Sequence, residues 1–185
     1  MDKKIDVWLG LQKDEDPAWD TLPFVKNIIK NRTGSKYFHS VLILPRAGEY
    51  GIKSGFLKTS KEDTSVSFGR VFHANLSDGV HIWKRILKDH FFDFIKLRVQ
   101  EDLYIDIQER FSRVQGAKYD LFSLLAFVGL RVRDSKRFYC YELTYFLLTG
   151  ELAKRRISVE DLLQVIMNLS QEGLIHLEEV PKIQA

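Results

Sequence analysis

Tyr37-Phe38-His39-Ser40-Val41-Leu42-Ile43-Leu44-Pro45 is the stretch on which the fold turns. Its aromatic and β-branched residues, set between the turn-forming Asn31-Arg32-Thr33-Gly34-Ser35 and Pro45, read as a buried β-strand. Side chains alternate along a strand, so His39, Val41 and Ile43 share one face. An apolar residue is the ordinary occupant of such a position. A histidine at 39 needs partners, because burying an unpaired polar group is costly.

Working outward from that strand, residues 5–11 read as a short buried strand and residues 13–17 as an acidic loop. Phe24, Val25, Ile28 and Ile29 have helical spacing. After the strand, residues 46–63 contain Gly48, Gly51 and Gly55 and read as a hairpin or long excursion. Residues 65–76 read as a second strand, which carries His73 and ends in the turn Ser77-Asp78-Gly79. Residues 80–86 and 91–99 read as two further strands. The period then changes. Leu103, Ile107, Phe111 and Val114 fall on one helical face, with Glu101 and Asp102 at the start and Gly116 as the stop.

Residues 121–130 read as a buried helix and residues 131–137 as a polar loop, whose Arg131, Arg133, Lys136 and Arg137 read as a solvated face rather than an anion-binding patch. Residues 138–148 are apolar and helical up to Thr149-Gly150. Ser158-Val159-Glu160-Asp161 opens an amphipathic helix with a capping-box pattern in which Asp replaces the usual Glu. Residues 174–180 close the chain as a last strand. Strands come first and helices later, which predicts an α+β fold: an antiparallel sheet packed against helices, one domain over residues 1–185.

Composition agrees with an ordinary globular domain. The chain has 185 residues, 45% of them hydrophobic and 29% charged, enough for a real core and too apolar for disorder. The net charge of +3 is diffuse and does not indicate nucleic acid as a partner. The longest apolar stretch, residues 121–130, is too short to span a bilayer, so no integral membrane segment is expected. The one cysteine excludes an internal disulfide and a multi-cysteine zinc site. A thiol that must stay reduced, with no signal-peptide core ahead of it, leads to the expectation of a cytoplasmic protein, with release by lysis or non-classical export as the exceptions.

That cysteine, Cys140, lies in Phe138-Tyr139-Cys140-Tyr141-Glu142-Leu143, at the head of a predicted helix. Cysteine attacks as its thiolate, and both a helix N-terminus and a nearby imidazole lower a thiol pKa. The free N–H groups of the first turn also suit a tetrahedral oxyanion. His39 is the candidate general base, and His73, on a neighbouring strand, is the candidate for orienting it. His81 and His90 lie in polar surroundings and His176 near the C-terminus. No pair of histidines has the close spacing of a zinc motif, so neither a metal nor another cofactor is expected.

The run Tyr37 to Ile43, with Val71-Phe72-His73-Ala74-Asn75-Leu76 and Gly79-Val80 after it, resembles the histidine strands of the NlpC-like papain-fold amidases. Most of that superfamily places the cysteine helix first. Here Lys118-Tyr119-Asp120 and Arg137-Phe138-Tyr139-Cys140-Tyr141-Glu142-Leu143 follow the histidines, which resembles the circularly permuted branch. Ile157-Ser158-Val159-Glu160-Asp161-Leu162 resembles a segment that follows the cysteine helix there.

The resemblance implies a papain-like fold in permuted order and a thiol hydrolase that cleaves an amide bond through an acyl-cysteine. Cys140 becomes the nucleophile, His39 the base and His73 its orienting partner. Tyr119 would shape the oxyanion or substrate pocket, and Glu142 would be structural. Tyr141 departs from the small serine of the family and either narrows the pocket or points into the core. The long excursion over residues 46–63 is a second departure. The substrates implied are a small peptide, a peptidoglycan fragment or an acyl-lipid. Acyl transfer or lipid ester hydrolysis on the same fold, and a non-catalytic binding module, are the competing functions.

Overall fold

A computed structural model describes residues 3–13, 27, 30–31, 35–45, 56–59, 64–67, 70–83, 87, 91–120 and 137–177. The strands are β1 (Lys4–Gln12), β2 (His39–Leu44), β3 (Phe56–Thr59), β4 (Thr64–Ser67), β5 (Arg70–Asn75), β6 (Gly79–Trp83), β7 (Phe92–Gln100), β8 (Lys118–Tyr119), β9 (Arg137–Phe138) and β10 (Ile175–Leu177). The helices described over their whole length are α1 (Glu101–Val114), α2 (Cys140–Thr149) and α3 (Val159–Gln171). Among the described residues, six strands form one antiparallel sheet in the order β10-β7-β1-β2-β5-β6. The three helices pack against it, as α+β segregation predicts.

Register fixes which side chains face which way. Leu9 stands opposite Leu42 and Ile95, while Trp8 stands opposite Ile43 and Lys96. The Leu9 side is the helix side: Leu42, Leu44, Phe72, Ala74 and Leu97 share a core with Tyr104, Ile107, Phe111, Leu143 and Leu147. Phe72 stacks on Phe111 with ring centroids 3.9 Å apart. The Trp8 side holds a second core of Val41, Ile43, Val71, Leu87 and Phe92, flanked by Trp83, Phe91 and Phe94. His39 therefore does share a face with Val41 and Ile43, and that face is turned away from the helices.

Two expectations, one of a strand and one of a helix start, are corrected. Residues 65–76 are not one strand. Thr64–Ser67 pairs with Phe56–Thr59 in a separate hairpin, and only Arg70–Asn75 joins the main sheet. A period of two marks a strand but not its partner, so the change of sheet leaves no trace in the pattern. The segment expected to enter the cysteine helix at residue 138 instead begins with β9, which pairs in parallel with β8. Of the expected helix over residues 24–29 only Asn27 is described, and it is helical, as are Lys30 and Asn31; the apolar run 121–130 with the basic residues 131–136, His90, and most of the 46–63 excursion lie outside the described residues.

Caps hold the helices that carry the site. Asp161 N–H donates to Ser158 Oγ at 3.3 Å and Ser158 N–H donates to Asp161 Oδ2 at 2.8 Å, which is the expected capping box of α3. At the other end of α2, Gly150 takes the left-handed conformation at φ 78° and closes the helix. The last turn of α2 has no basic residue of its own. Arg110 of α1 supplies the charge instead, donating to the carbonyls of Leu147 at 2.9 Å and Leu148 at 3.0 Å while Asp106 holds it at 2.6 Å. Arg110→Ala is expected to cost about 2 kcal/mol, the scale of losing charge-assisted bonds. Urea denaturation checks this, and an unchanged midpoint refutes it.

A second tether runs between β6 and the residues leading into β8. Val80 N–H donates to Ala117 O and Gly116 N–H to Val80 O, each at 2.8 Å. Gly79 has φ 69°, and a Cβ there would collide with the carbonyl oxygen of Ala117. Gly79→Ala combines a left-handed backbone with that collision. It is expected to cost about 3 kcal/mol or more, a loss of roughly 6–12 °C in thermal midpoint for a chain of this size.

Candidate active site

Cys140 is the first residue of α2, preceded by Tyr139 in extended conformation at φ −95° and ψ 170°. The Tyr139 side chain does not cap the helix. Its hydroxyl donates to Ile157 O at 3.0 Å and accepts from Ile157 N–H, tying the start of α2 to the approach to α3. One turn on, Thr144 donates to Cys140 O at 3.1 Å and lies 3.0 Å from the hydroxyl of Ser40. The Ser40 side chain thus faces α2, and by alternation its neighbour His39 faces away.

The thiol itself rests on the backbone of β2. Sγ donates to Phe38 O at 4.0 Å, and the Ser40 N–H points at the sulfur. These two peptide groups flank His39. The hydroxyl of Tyr119 also bonds the sulfur. Tyr119 is brought there by the parallel pairing of β8 with β9, which sets Tyr119 opposite Phe138, two residues before the cysteine. Tyr141 is buried in the core beside α3, and its hydroxyl has no hydrogen-bond partner among the described residues. Of the two orientations open to it in the sequence, the core is the one observed.

The histidines gather on the other face. The rings of His39 and His73 meet edge to face with centroids 6.1 Å apart. His73 stands directly across from His81, with Nε2 to Nε2 at 3.0 Å, and Trp83 lies 5.1 Å from the His73 ring. Pairing of β2 with β5 runs from Leu42 opposite Phe72 to Leu44 opposite Arg70, short of the histidines. The structure therefore brings His39 and His73 together and seats Cys140 against the backbone of His39. Alternation placed His39 with Val41 and Ile43, and α2 packs on the opposite side.

Electrostatics calls for a correction. Burial pushes the Cys140 thiol up from 9.0 to about 11. The N–H groups of Ser40, Tyr141 and Cys140 itself and the Tyr119 hydroxyl act against that, in the sense expected of a helix N-terminus, but burial outweighs them. Burial likewise drives His39 down from 6.5 to about 3. His73 is driven to about 2 by burial first, then by His39 and His81. Thiol and imidazoles are neutral at pH 7, and no thiolate–imidazolium pair stands ready.

A shift of the thiol from 9.0 to about 11 lowers the thiolate population at neutral pH roughly a hundredfold. The folded chain at pH 7.5 is therefore expected to react with iodoacetamide at least that much more slowly than the urea-unfolded chain, with a rate that climbs with pH toward 11. A folded chain that labels faster than the unfolded one at pH 7.5 contradicts this. The same shift favours the fold below pH 9.0, and that contribution is lost as pH rises through about 11.

His81 is the residue that sequence reasoning passed over. The signal was available: counting outward from the Ser77–Gly79 turn sets residue 73 opposite residue 81. Among the described residues no group of three or more His, Cys, Asp or Glu is arranged to hold a metal ion, and no helix is long and apolar enough to cross a membrane. The chain matches no family model and no curated protein.

Proposed function

We propose that this chain is a thiol hydrolase of the permuted papain-like class, cleaving an amide bond of peptide or peptidoglycan type through an acyl-cysteine on Cys140. The observation that carries this reading is the docking of the Cys140 thiol, at the head of α2, on the two peptide groups that flank His39. Tyr119 at the sulfur and His73 beside His39 add to it, as does the order of histidine strands before cysteine helix.

The chemistry runs by general base catalysis from neutral groups. As the sulfur attacks the carbonyl carbon, the thiol proton passes to the His39 imidazole, and the N–H groups at the start of α2 take the developing oxyanion. The tetrahedral intermediate collapses by breaking the C–N bond, and the amine leaves with the proton from His39. Water, deprotonated by the same imidazole, then attacks the thioester carbonyl and releases the acid and the free thiol. The step requires the His39 ring to reach the thiol that rests on the peptide groups on either side of it. It also requires access for water or substrate to groups that are buried at rest.

One observation favours a second reading, a non-catalytic module on the same fold: the buried thiol held near pKa 11 beside imidazoles held neutral. A panel of peptide, peptidoglycan-fragment and acyl-lipid substrates separates the two. The hydrolase gives cleaved amide and an acyl adduct on Cys140 in the intact mass, absent from Cys140→Ala. Adducts from esters alone indicate acyl transfer. A folded chain with neither product nor adduct on any substrate is the non-catalytic module.

A further inference from the structure

The face turned away from α2 holds a histidine that the proposed chemistry does not use. His81 Nε2 lies 3.0 Å from His73 Nε2, and His81 Nδ1 lies 3.1 Å from the carbonyl oxygen of Gly79. Proton counting assigns both rings. A carbonyl only accepts, so His81 Nδ1 carries a proton. A neutral imidazole has one N–H, so Nε2 of neutral His81 is a lone pair. The proton between the two Nε2 atoms then belongs to His73, and neutral His73 is left with its lone pair at Nδ1. The ring of Trp83, 5.1 Å from that of His73 and tilted by 32°, lies over the same imidazole.

We propose that His81 is a positioning residue that fixes His73 as the Nε2–H tautomer, so that His73 offers its Nδ1 lone pair as an acceptor. The role of that acceptor, to take an N–H from His39 as it becomes cationic, rests on the hydrolase reading above. The tautomer assignment rests on the geometry with both rings neutral, and on no activity. An orienting group must accept, so the wrong tautomer of His73 presents a donor where the chemistry needs a lone pair. Gly79 fits the arrangement: its carbonyl anchors His81, and its backbone is held by the close approach of Ala117.

Long-range proton–nitrogen correlation spectra of the uniformly nitrogen-15-labelled full chain at pH 8.5 test the assignment. In the wild type, His73 is expected to show a protonated Nε2 and a lone-pair Nδ1. His81→Gln keeps an acceptor and is expected to preserve that pattern. His81→Phe removes the acceptor while filling the space, and the His73 nitrogens are expected to move toward the Nδ1–H tautomer or a mixture. A wild-type His73 protonated at Nδ1, or a folded His81→Phe with an unchanged tautomer, overturns the proposal. Should His81→Phe fail to fold, the wild-type spectrum and His81→Gln still decide it. No substrate enters the measurement. A chain without hydrolytic activity leaves the tautomer result intact, and an active chain with His73 protonated at Nδ1 overturns this inference alone.

Discussion

Acidification from pH 7.5 to 4.5 is expected to remove roughly 5 kcal/mol of stability, enough to unfold a chain whose total is on the order of 5–15 kcal/mol. The cause is His39 and His73, whose pKa values are depressed from 6.5 to about 3 and about 2 by burial. In the unfolded chain both take up protons as pH falls through 6.5, and in the folded chain neither does until far lower. A depressed histidine therefore favours the fold above 6.5 and loses that contribution as pH falls toward its folded value. At pH 4.5 each ring is about two pH units below its unfolded value, which at about 1.4 kcal/mol per unit comes to roughly 3 kcal/mol apiece.

Asp93 and Asp161, held below the usual carboxylate range, act in a separate window, because their contribution fades only as pH falls below 3.8. Urea midpoints from pH 7.5 down to 4.5 measure the histidine effect. His39→Gln, which cannot take up a proton, is expected to flatten the slope by about one proton. A wild-type midpoint that does not move above pH 4.5 is incompatible with two histidines buried neutral.

On the proposed hydrolase reading, Cys140→Ala is expected to abolish hydrolysis, by about a thousandfold or more, while the fold survives. Removing the nucleophile of an acyl-enzyme mechanism leaves only what binding and the oxyanion donors supply. The loss to stability is on the order of 1 kcal/mol, the common scale for a point substitution. His39→Ala is expected to lose nearly as much activity, and the double variant no more than either single one, because the two act as a unit. Tyr119→Phe, which keeps the ring and removes the hydroxyl on the sulfur, is expected to cost less, about tenfold, on the scale of one hydrogen bond. Turnover by Cys140→Ala within tenfold of the wild type places the nucleophile elsewhere.

The legible parts of this chain were those set by local rules. Helix α1 spans Glu101–Val114 as its apolar period and Gly116 indicated, and α3 opens with the expected capping box. Strands β1, β2 and β7 follow their hydrophobic runs closely. The neighbourhood of Tyr119 and Cys140 was visible only through the resemblance. The two-residue strands β8 and β9 that bring them together are too short to carry a period.

By itself the sequence determined an α+β domain, the alternation that sets His39 beside Val41 and Ile43, and the seat of Cys140 at a helix start. These follow from backbone periodicity and capping, which act over a few residues. Only the tertiary structure decided which face of the sheet α2 would cover, and that the thiol would rest on the peptide groups flanking His39. Only it decided that burial would outweigh the helix N-terminus at Cys140, and that His81 would reach His73. The reason is physical. A strand has two equivalent faces, and desolvation depends on everything packed around a group. Neither is settled until residues far apart in the chain meet.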